Sequence, residues 1–194
     1  AVSMAKIAPK DPFARLANAE EQARALPEIE LFDDTSISTE ALSEMALTCE
    51  AAALDTNGIS NSDGASASTG MSEILIGTST GFTAAYKRSS FGISAVVLAE
   101  HDGQMERDYD YSATVFAEDL EAATKIGKSA AERTLARLGA RKPQTGSFPV
   151  IYDKRVSRSI AGHIASGING AAIARGTSFL KDQLGEAIAA SSIS

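Results

Sequence analysis

The sequence predicts an α+β fold: N-terminal helices, an antiparallel β-sheet meander with packed helices, and then the start of a second domain. Two observations carry this prediction. Apolar residues recur at helical spacing before residue 55 and again over residues 118–138. Between these segments the chain changes to short runs of β-branched, aromatic and serine residues, separated by Asn-Gly, Asp-Gly and Thr-Gly pairs that are typical of tight turns between antiparallel strands.

The domain organisation follows from the same patterns. The Pro- and Gly-bearing stretch "ARKPQTGSF" has few apolar residues and is the best candidate for a linker. The prediction divides the chain as follows: an α+β domain over 1–140, with helices in 1–55, an antiparallel sheet in 58–116 and a helix in 118–138; a linker over 141–147; and the truncated start of a second, C-terminal domain over 148–194. We expect the chain to be part of a longer polypeptide.

The N-terminal helices are predicted from apolar spacing and from breakers. Residues 2–8 form a short apolar run that Pro9 ends, and "NAEEQARAL" predicts a second short helix that ends near Pro27. A longer helix is predicted from Ser38 to Asp55, with Ser38 as its N-cap and no capping box, because Ala41 stands where an acid or amide would be needed. The one cysteine, Cys49, lies on its apolar face, so we expect a buried and inert thiol.

The sheet segments differ in their patterns. In "SEILIGTS" and "GISAVVLAE" the apolar residues are nearly continuous, which predicts strands covered on both faces. The run "SDGASAST" is too small and polar to fill a core, so it predicts an exposed edge or a hairpin tip. After the linker we expect a short strand, "PVIYD", and then a helix around His163 that is rich in small residues.

The composition excludes several classes of function. The 194 residues carry a net charge of −7 and have a pI near 4.9, with no basic stripe, so we expect no nucleic-acid partner. One cysteine allows neither a disulfide framework nor a multi-cysteine zinc site within the chain. No apolar run is long enough to span a bilayer and no signal peptide is recognisable, so we expect no membrane association and a cytoplasmic location.

The alternating segment "QMERDYDYS" is a candidate cation site. Glu106, Asp108 and Asp110 share one face of the predicted strand, and carboxylate oxygens are the ligands that Ca²⁺ and Mg²⁺ prefer. The alternative is a solvated acidic face, with Arg107 and two tyrosines turned inward. That alternative is favoured, because a strand splays its ligands whereas a turn converges them.

Other candidate motifs are weak. The serine-rich hairpin has no G-x-S-x-G elbow, and no glycine pattern for nucleotide binding is present. His101 lies beside the Asp102-Gly103 pair, which predicts a surface turn. His163 has Ser159 and Gly167 four residues away on either side, so no second zinc ligand lies one helical turn from it.

Several stretches together resemble the PmbA/TldE proteins, the partners of TldD, often called modulators of DNA gyrase. The resemblance is carried, in order, by "NGISNSDGASAST", "STGF", "AEHDGQMERDYDYS", "GKSAAERTLARLGARKPQTGSFPVIYD" and "GHIASGINGAAIARGTSFLKDQLGE". It implies a cytosolic peptidase complex in which TldD carries a helical H-E-x-x-x-H zinc motif followed three residues later by an acid. TldE is then the homologous subunit without the metal.

Counting back without gaps from "RGTS" at Arg175–Ser178, the resemblance places the zinc motif on "AGHIASGIN". Its first histidine and glutamate fall on Ala161 and Gly162, its second histidine on Ser166 and its later acid on Asn169. None of these side chains supplies the metal chemistry, and His163 falls between motif positions. The resemblance thus implies no catalytic or metal-binding residue and no cofactor in this chain, with zinc in a TldD-like partner.

The function implied is a non-catalytic subunit that shapes a channel for unfolded or small peptides, in a heterodimer with a TldD-like subunit or in a homodimer, and that we expect to be inactive alone. Residues 59–69 or the small-residue helix over 161–172 are expected to contribute to the peptide groove or the interface. The residues proposed for these contacts are His163, Asn169, Arg175 and Ser178. Two alternatives stay open: a regulator that binds DNA gyrase or a toxin-antitoxin component without proteolysis, and a self-sufficient hydrolase with catalytic residues elsewhere.

Overall fold

The computed structural model describes residues 2–11 and 15–190. Their contacts divide the chain into two compact units, which we call the sheet unit (residues 17–143) and the α4 unit (residues 1–16 with 144–194). The sequence prediction placed residues 1–16 in the first domain, and its domain bounds stay a prediction. Among the described residues, no helix combines the length and the apolar character needed to cross a membrane.

The elements confirm the α+β class and the antiparallel meander. In chain order they are α1 (Val2–Ile7), α2 (Thr39–Leu54), β1 (Ile59–Gly77), β2 (Thr83–His101), β3 (Gln104–Thr114), a 3-10 turn (Ala117–Asp119), α3 (Ala123–Arg137), α4 (Lys154–Gly167) and α5 (Gly170–Ala174). The sheet has the order β1-β2-β3, with both pairs antiparallel.

The turn between β2 and β3 is the tightest in the sheet. Asp102 and Gly103 are its two central residues and have φ angles of 51° and 74°. Positive φ at both positions is the geometry of a two-residue hairpin turn that matches strand twist, and Asp-Gly is one of the pairs that adopts it readily. His101 lies in this turn and is exposed, as predicted.

The core lies between one face of the sheet and the helices α2 and α3. It consists of Cys49 and Ala53 of α2, Ile93, Ala95 and Val97 of β2, and Ile126, Ala130 and Ala131 of α3. Most of these side chains are small, so the two helices approach each other closely. A Cβ atom added to Gly127 of α3 would lie 2.1 Å from the backbone oxygen of Cys49, so this crossing requires a glycine.

Helix α2 begins as predicted. The Ser38 hydroxyl accepts a hydrogen bond from the Ala41 N–H at 3.2 Å, which satisfies one of the free donors of the first turn. The predicted helix over 118–138 is shorter at its start, because the 3-10 turn and an extended Ala122 precede α3. Gly139 follows its C-terminal end with a φ of 71°, the left-handed conformation expected of a helix stop.

Two predicted elements do not form. The stretch "NAEEQARAL" contains only an isolated turn, in which the Asn18 N–H donates to the Glu21 carboxylate and the Glu21 N–H donates to the Asn18 carbonyl. Its residues are mostly exposed, so no buried face supports a helix of this length. The stretch "PVIYD" is not a strand, because none of the described strands pairs with it, and Ile151 is 97% exposed.

The prediction that the sheet strands are covered on both faces is wrong. Helices α2 and α3 cover the face that carries Phe91, Ile93 and Val97, and no described helix of the sheet unit covers the opposite face. Leu75, in the part of β1 that extends beyond the helices, is 72% exposed. The run "SDGASAST" lies within β1, which is an edge strand. The prediction of an exposed edge is therefore confirmed, and the alternative of a hairpin tip is wrong.

Candidate functional site

Helix α4 begins at a capped turn. The Asp153 carboxylate accepts a hydrogen bond from the Arg155 N–H at 2.9 Å, and the Asp153 carbonyl accepts from the N–H groups of Val156 and Ser157 at 2.8 Å each. The second half of the helix carries small, exposed residues, including Ala161, Gly162 and Ala165. This half is the segment onto which the zinc motif aligns.

Asn169 connects α4 to α5 through its side chain. Its Oδ1 accepts hydrogen bonds from the N–H groups of Ala171 at 3.0 Å and Ala172 at 3.3 Å, so it is the N-cap of α5. Its carbonyl accepts a further bond from the Ile173 N–H at 3.0 Å. The carboxamide oxygen is thus engaged in folding the turn that follows α4.

Ser178 fixes the end of this helical pair. Its hydroxyl donates to the Gly167 carbonyl at 2.6 Å and accepts from the Leu180 N–H at 2.9 Å, and the residue is buried. An added Cβ at Gly167 would lie 2.8 Å from Leu180 Cδ1 and 3.0 Å from the Phe179 ring, so these two side chains pack directly on Gly167 and would have to shift to admit a larger residue. The segment after α5 therefore folds back onto the C-terminal end of α4.

The other two predicted contact residues, Arg175 and His163, have side chains that do not fold this turn. Arg175 Nη2 forms an ion pair with Asp11 Oδ2 at 2.9 Å, which links the segment after α5 to the one after α1. His163 is exposed on α4. The assignment of Asn169, Ser178, Arg175 and His163 to peptide or subunit contacts stays a prediction.

The α4 turn does not fit a zinc ion. Zinc sites in proteins take three or four ligands from cysteine, histidine and carboxylate side chains. Ala161 and Gly162 have no donor atom, Ser166 is a poor zinc ligand, and Asn169 caps α5. Within the described part of the chain, no group of three or more His, Cys, Asp or Glu side chains is placed to hold a metal ion.

The acidic face of β3 is not solvated. Asp108 and Asp110 are 9% and 8% exposed and face α3. Arg137 Nε lies 3.0 Å from Glu106 Oε2, Arg133 Nε lies 3.4 Å from Asp110 Oδ2, and the Ser129 hydroxyl donates to the same Asp110 oxygen.

Both interpretations of this face are therefore corrected. Arginine side chains of α3 neutralise the carboxylates that a cation would need, so the face is an ion-paired contact between strand and helix. The tyrosines are not turned inward: Tyr109 is 45% exposed on the open face of the sheet, where its ring stacks on that of Tyr111 at 6.2 Å. Arg107 pairs at 2.8 Å with Asp63 of β1, which lies on the other side of β2.

Cys49 is fully buried in the core, as predicted. Burial, followed by the negative charge of Glu50, raises the pKa of its thiol to about 11, although a hydrogen bond with the Gly127 backbone opposes the shift. A thiol with this pKa is almost entirely protonated at neutral pH. The residue is therefore a packing residue and not a nucleophile.

The sequence interpretation missed an apolar groove in the sheet unit. It measures 390 Å³ and lies between residues 26–31 and the part of β2 that extends beyond β3. Its apolar lining includes Leu26, Ile29, Ile76 and Tyr86, and Arg88 is the one charged residue among its described lining residues. Two apolar stretches, around Leu31 and over Ile74–Ile76, could have indicated the groove in the sequence. Each has more apolar residues than is usual in an exposed loop or at the end of a hairpin.

Family models match most of the chain. The central domain of the PmbA/TldA metallopeptidases matches residues 32–138, and the C-terminal domain of the same proteins matches residues 145–194. The chain belongs to the PmbA/TldD family. The resemblance seen in the sequence is thereby confirmed at the level of the family.

Curated relatives and solved structures agree with the family. The Metalloprotease PmbA of Escherichia coli O157:H7 is 34% identical over 97% of the chain, and the PmbA homologue of Haemophilus influenzae is 31% identical over 97%. The chain spans 42% of the length of each of these relatives.

Two crystal structures share the fold. A proposed modulator of DNA gyrase from Bacteroides thetaiotaomicron matches with a TM-score of 0.84 and 27% identity, over 97% of this chain and 44% of that one. A protein of the same description from Thermotoga maritima matches with a TM-score of 0.75 and 19% identity, over 84% of this chain and 38% of that one, and its likeness concerns the fold alone.

Proposed function

We propose that this PmbA/TldD-family chain acts as the non-catalytic, TldE-type subunit of a cytoplasmic zinc metallopeptidase complex, in which it shapes the channel for unfolded or small peptides. One observation carries the proposal. The four positions onto which the zinc motif aligns hold Ala161, Gly162, Ser166 and Asn169, so this chain contributes no ligand set there. The catalytic zinc then belongs to a TldD-like partner.

The shape of α4 supports a role in contact with that partner. Ala161, Gly162 and Ala165 are exposed, and space is open around Gly162, where an added Cβ would meet no described atom beyond its own helical turn within 4 Å. Small side chains let another backbone approach a helix closely. The edge of β1 is a second candidate surface for peptide or partner, because residues 59–69 present an edge with few charges to solvent.

The test combines metal analysis with reconstitution. The chain alone should bind well under one equivalent of zinc and should not cleave a casein-derived peptide mixture. With a purified TldD-type subunit it should co-elute in gel filtration, and zinc-dependent cleavage should rise. About one tightly held zinc per chain, in the absence of a partner, would contradict the proposal.

A matched pair of variants tests the α4 surface. Gly162→Arg places a long side chain where space is open, so the α4 unit should still fold but the complex should be lost. Ala136→Arg makes a like change on an exposed position of α3 and should leave co-elution intact. Equal co-elution of both variants would exclude this face of α4 from the interface.

The description of the structural relatives favours a second candidate, a protein that modulates DNA gyrase by binding without proteolysis. This candidate predicts binding to purified gyrase, or to a toxin-antitoxin component, that survives EDTA and needs no zinc subunit. The net charge of −7 makes protein contact more favourable than DNA contact. A third candidate, a self-sufficient hydrolase, is separated from both by the zinc content of the longer protein.

A further inference from the structure

The groove in the sheet unit, which we call the strap groove, has a strand edge as one wall. Residues 26–31 form one side, and β2 residues 82–88 form the other. Strand β3 ends at Thr114, which is paired with Phe91, so no described strand lies on that side of the earlier half of β2. The groove lies where a fourth strand segment would fit.

The backbone of β2 is unpaired along this wall. The Ser89 N–H donates to the Leu31 carbonyl at 3.0 Å, which shows that the backbone groups of Ser89 point away from β1. Because these directions alternate along a strand, the backbone groups of Lys87, Ala85 and Thr83 point the same way. No described residue forms a backbone hydrogen bond with the outward groups of these three residues.

The lining adds apolar contact and one charge. Leu26, Ile29, Ile76 and Tyr86 supply apolar surface, and each remains 43% or more exposed. Arg88 is the single charged residue among the described residues of the lining. A groove of this kind complements an extended chain that carries apolar side chains and a carboxylate.

The size of the groove indicates which extended chain fits. The free edge over Thr83–Lys87 is about 17 Å long at the usual rise of a strand. A stable subunit interface buries roughly 1,200 Å² or more, which a strand of five residues cannot supply. A short peptide, held weakly and released, matches the length of the edge.

We propose that the strap groove binds a short extended peptide, which adds as a strand along Thr83–Lys87, packs its apolar side chains against Leu26 and Tyr86, and pairs its C-terminal carboxylate with Arg88. The proposal rests on the proposed peptide-handling function and names this groove as a site for that class of substrate. Main-chain bonds supply affinity with little dependence on sequence, and Arg88 sets a preference for a chain end.

The test is fluorescence polarisation with the 194-residue chain and a hexapeptide, Thr-Val-Thr-Leu-Thr-Val, labelled with fluorescein at its N-terminus. Its C-terminal amide should bind about tenfold more weakly, because a charge-assisted bond to Arg88 is lost. Arg88→Gln should weaken binding of the free acid by a similar factor and should bind the acid and the amide alike. Arg141→Gln, an exposed arginine outside the groove, should behave as the unaltered chain.

A backbone variant tests the strand edge separately. Ala85→Pro removes an N–H that points away from β1, a position where an edge strand tolerates proline. It should weaken both peptides about tenfold while the thermal melt stays unchanged. If Ala85→Pro fails to fold, a peptide with its central threonine and leucine N-methylated supplies the same test from the ligand side.

The outcomes separate this inference from the function on which it rests. Binding that is equal for acid and amide and unaffected by Arg88→Gln overturns the groove, even if the chain still co-elutes with a TldD-type subunit. Loss of peptide binding when that subunit is added shows that the partner occupies the groove, which also overturns the proposal. Failure to co-elute contradicts the proposed function, whereas Arg88-dependent binding by the chain alone would still support the groove.

Discussion

Gly127→Ala tests the close crossing of α2 and α3. The added methyl carbon would lie 2.1 Å from the Cys49 carbonyl oxygen and 3.1 Å from the Ala53 nitrogen, and both are backbone atoms that cannot rotate away. Because contacts to a Cβ below 3.0 Å essentially do not occur, the two helices would have to separate by about 1 Å. Such a shift opens the core around Cys49, Ala53 and Ala130.

The magnitude follows from two opposing effects. In an open helix position, alanine is more favourable than glycine by about 1 kcal/mol. Overpacking costs about 1 to 3 kcal/mol when side chains can adjust and more when they cannot. Since backbone meets backbone here, we expect a net loss of about 3 kcal/mol in the free energy of unfolding of the sheet unit, or on the order of 10 °C in its melting temperature.

Urea unfolding followed by far-UV circular dichroism measures this loss. Lys128→Ala, at the exposed neighbour in the same helix, should change stability by less than about 0.5 kcal/mol. Gly162→Ala makes the same chemical change in α4, where the new Cβ would meet no described atom beyond its own helical turn within 4 Å, and should be neutral or slightly stabilising. A Gly127→Ala protein as stable as the original would refute the close approach of the two helices.

Three other predictions follow from the same structure. Asp110→Asn should destabilise the sheet unit by about 2 kcal/mol in a urea titration, because it leaves Arg133 beside a neutral partner in a half-buried site. Asp63→Asn, at an exposed pair, should change the free energy of unfolding by less than about 1 kcal/mol, and equal effects of the two variants would contradict the ion-paired contact. Cys49 should resist iodoacetamide at pH 8 until urea is added, and rapid labelling of the folded protein would count against burial. Because its pKa is raised to about 11 in the folded state, the stability that the thiol contributes should be complete below pH 8.5 and should fall as the pH rises toward 11. The Cys49→Ala variant should lack this decline. Ser178→Ala should speed amide hydrogen exchange at Leu180 and at the end of α4 by about tenfold, because the Gly167 carbonyl loses its donor, whereas Ser157→Ala at an exposed bond should change little.

The sequence predicted the elements whose signals are local. Ser38 caps α2 as expected, and the Asp-Gly pair forms the turn between β2 and β3, because both depend on a few neighbouring residues. The stretch over residues 18–26 has the composition of a helix but no surface to bury, so propensity alone could not decide it.

The buried face of β3 could not be predicted from the strand alone, because it depends on the helices that pack on the sheet. Alternation showed that Glu106, Asp108 and Asp110 share a face, but it could not show which face is buried, since a strand with acids on one side and tyrosines on the other suggests that the tyrosines turn inward. The acidic face is the buried one because Arg133 and Arg137 of α3 are spaced to pair with its carboxylates. A pairing of this kind joins segments about 20 residues apart or more and is invisible to periodicity.

The α4 turn separates what the fold needs from what zinc chemistry needs. Asn169 caps α5 with the same oxygen geometry that an aspartate would provide, and aspartate and asparagine are about equal as N-caps. An acid at this position, as the zinc motif requires, could therefore be replaced by asparagine without loss of the turn. Ala161 and Gly162 are likewise free of folding contacts, since both are exposed and open space surrounds Gly162. The turn is instead held by Ser178 and Gly167, which are not motif positions. A chain of this family can thus keep the α4–α5 structure without metal ligands at these positions, which is what the proposed non-catalytic subunit requires.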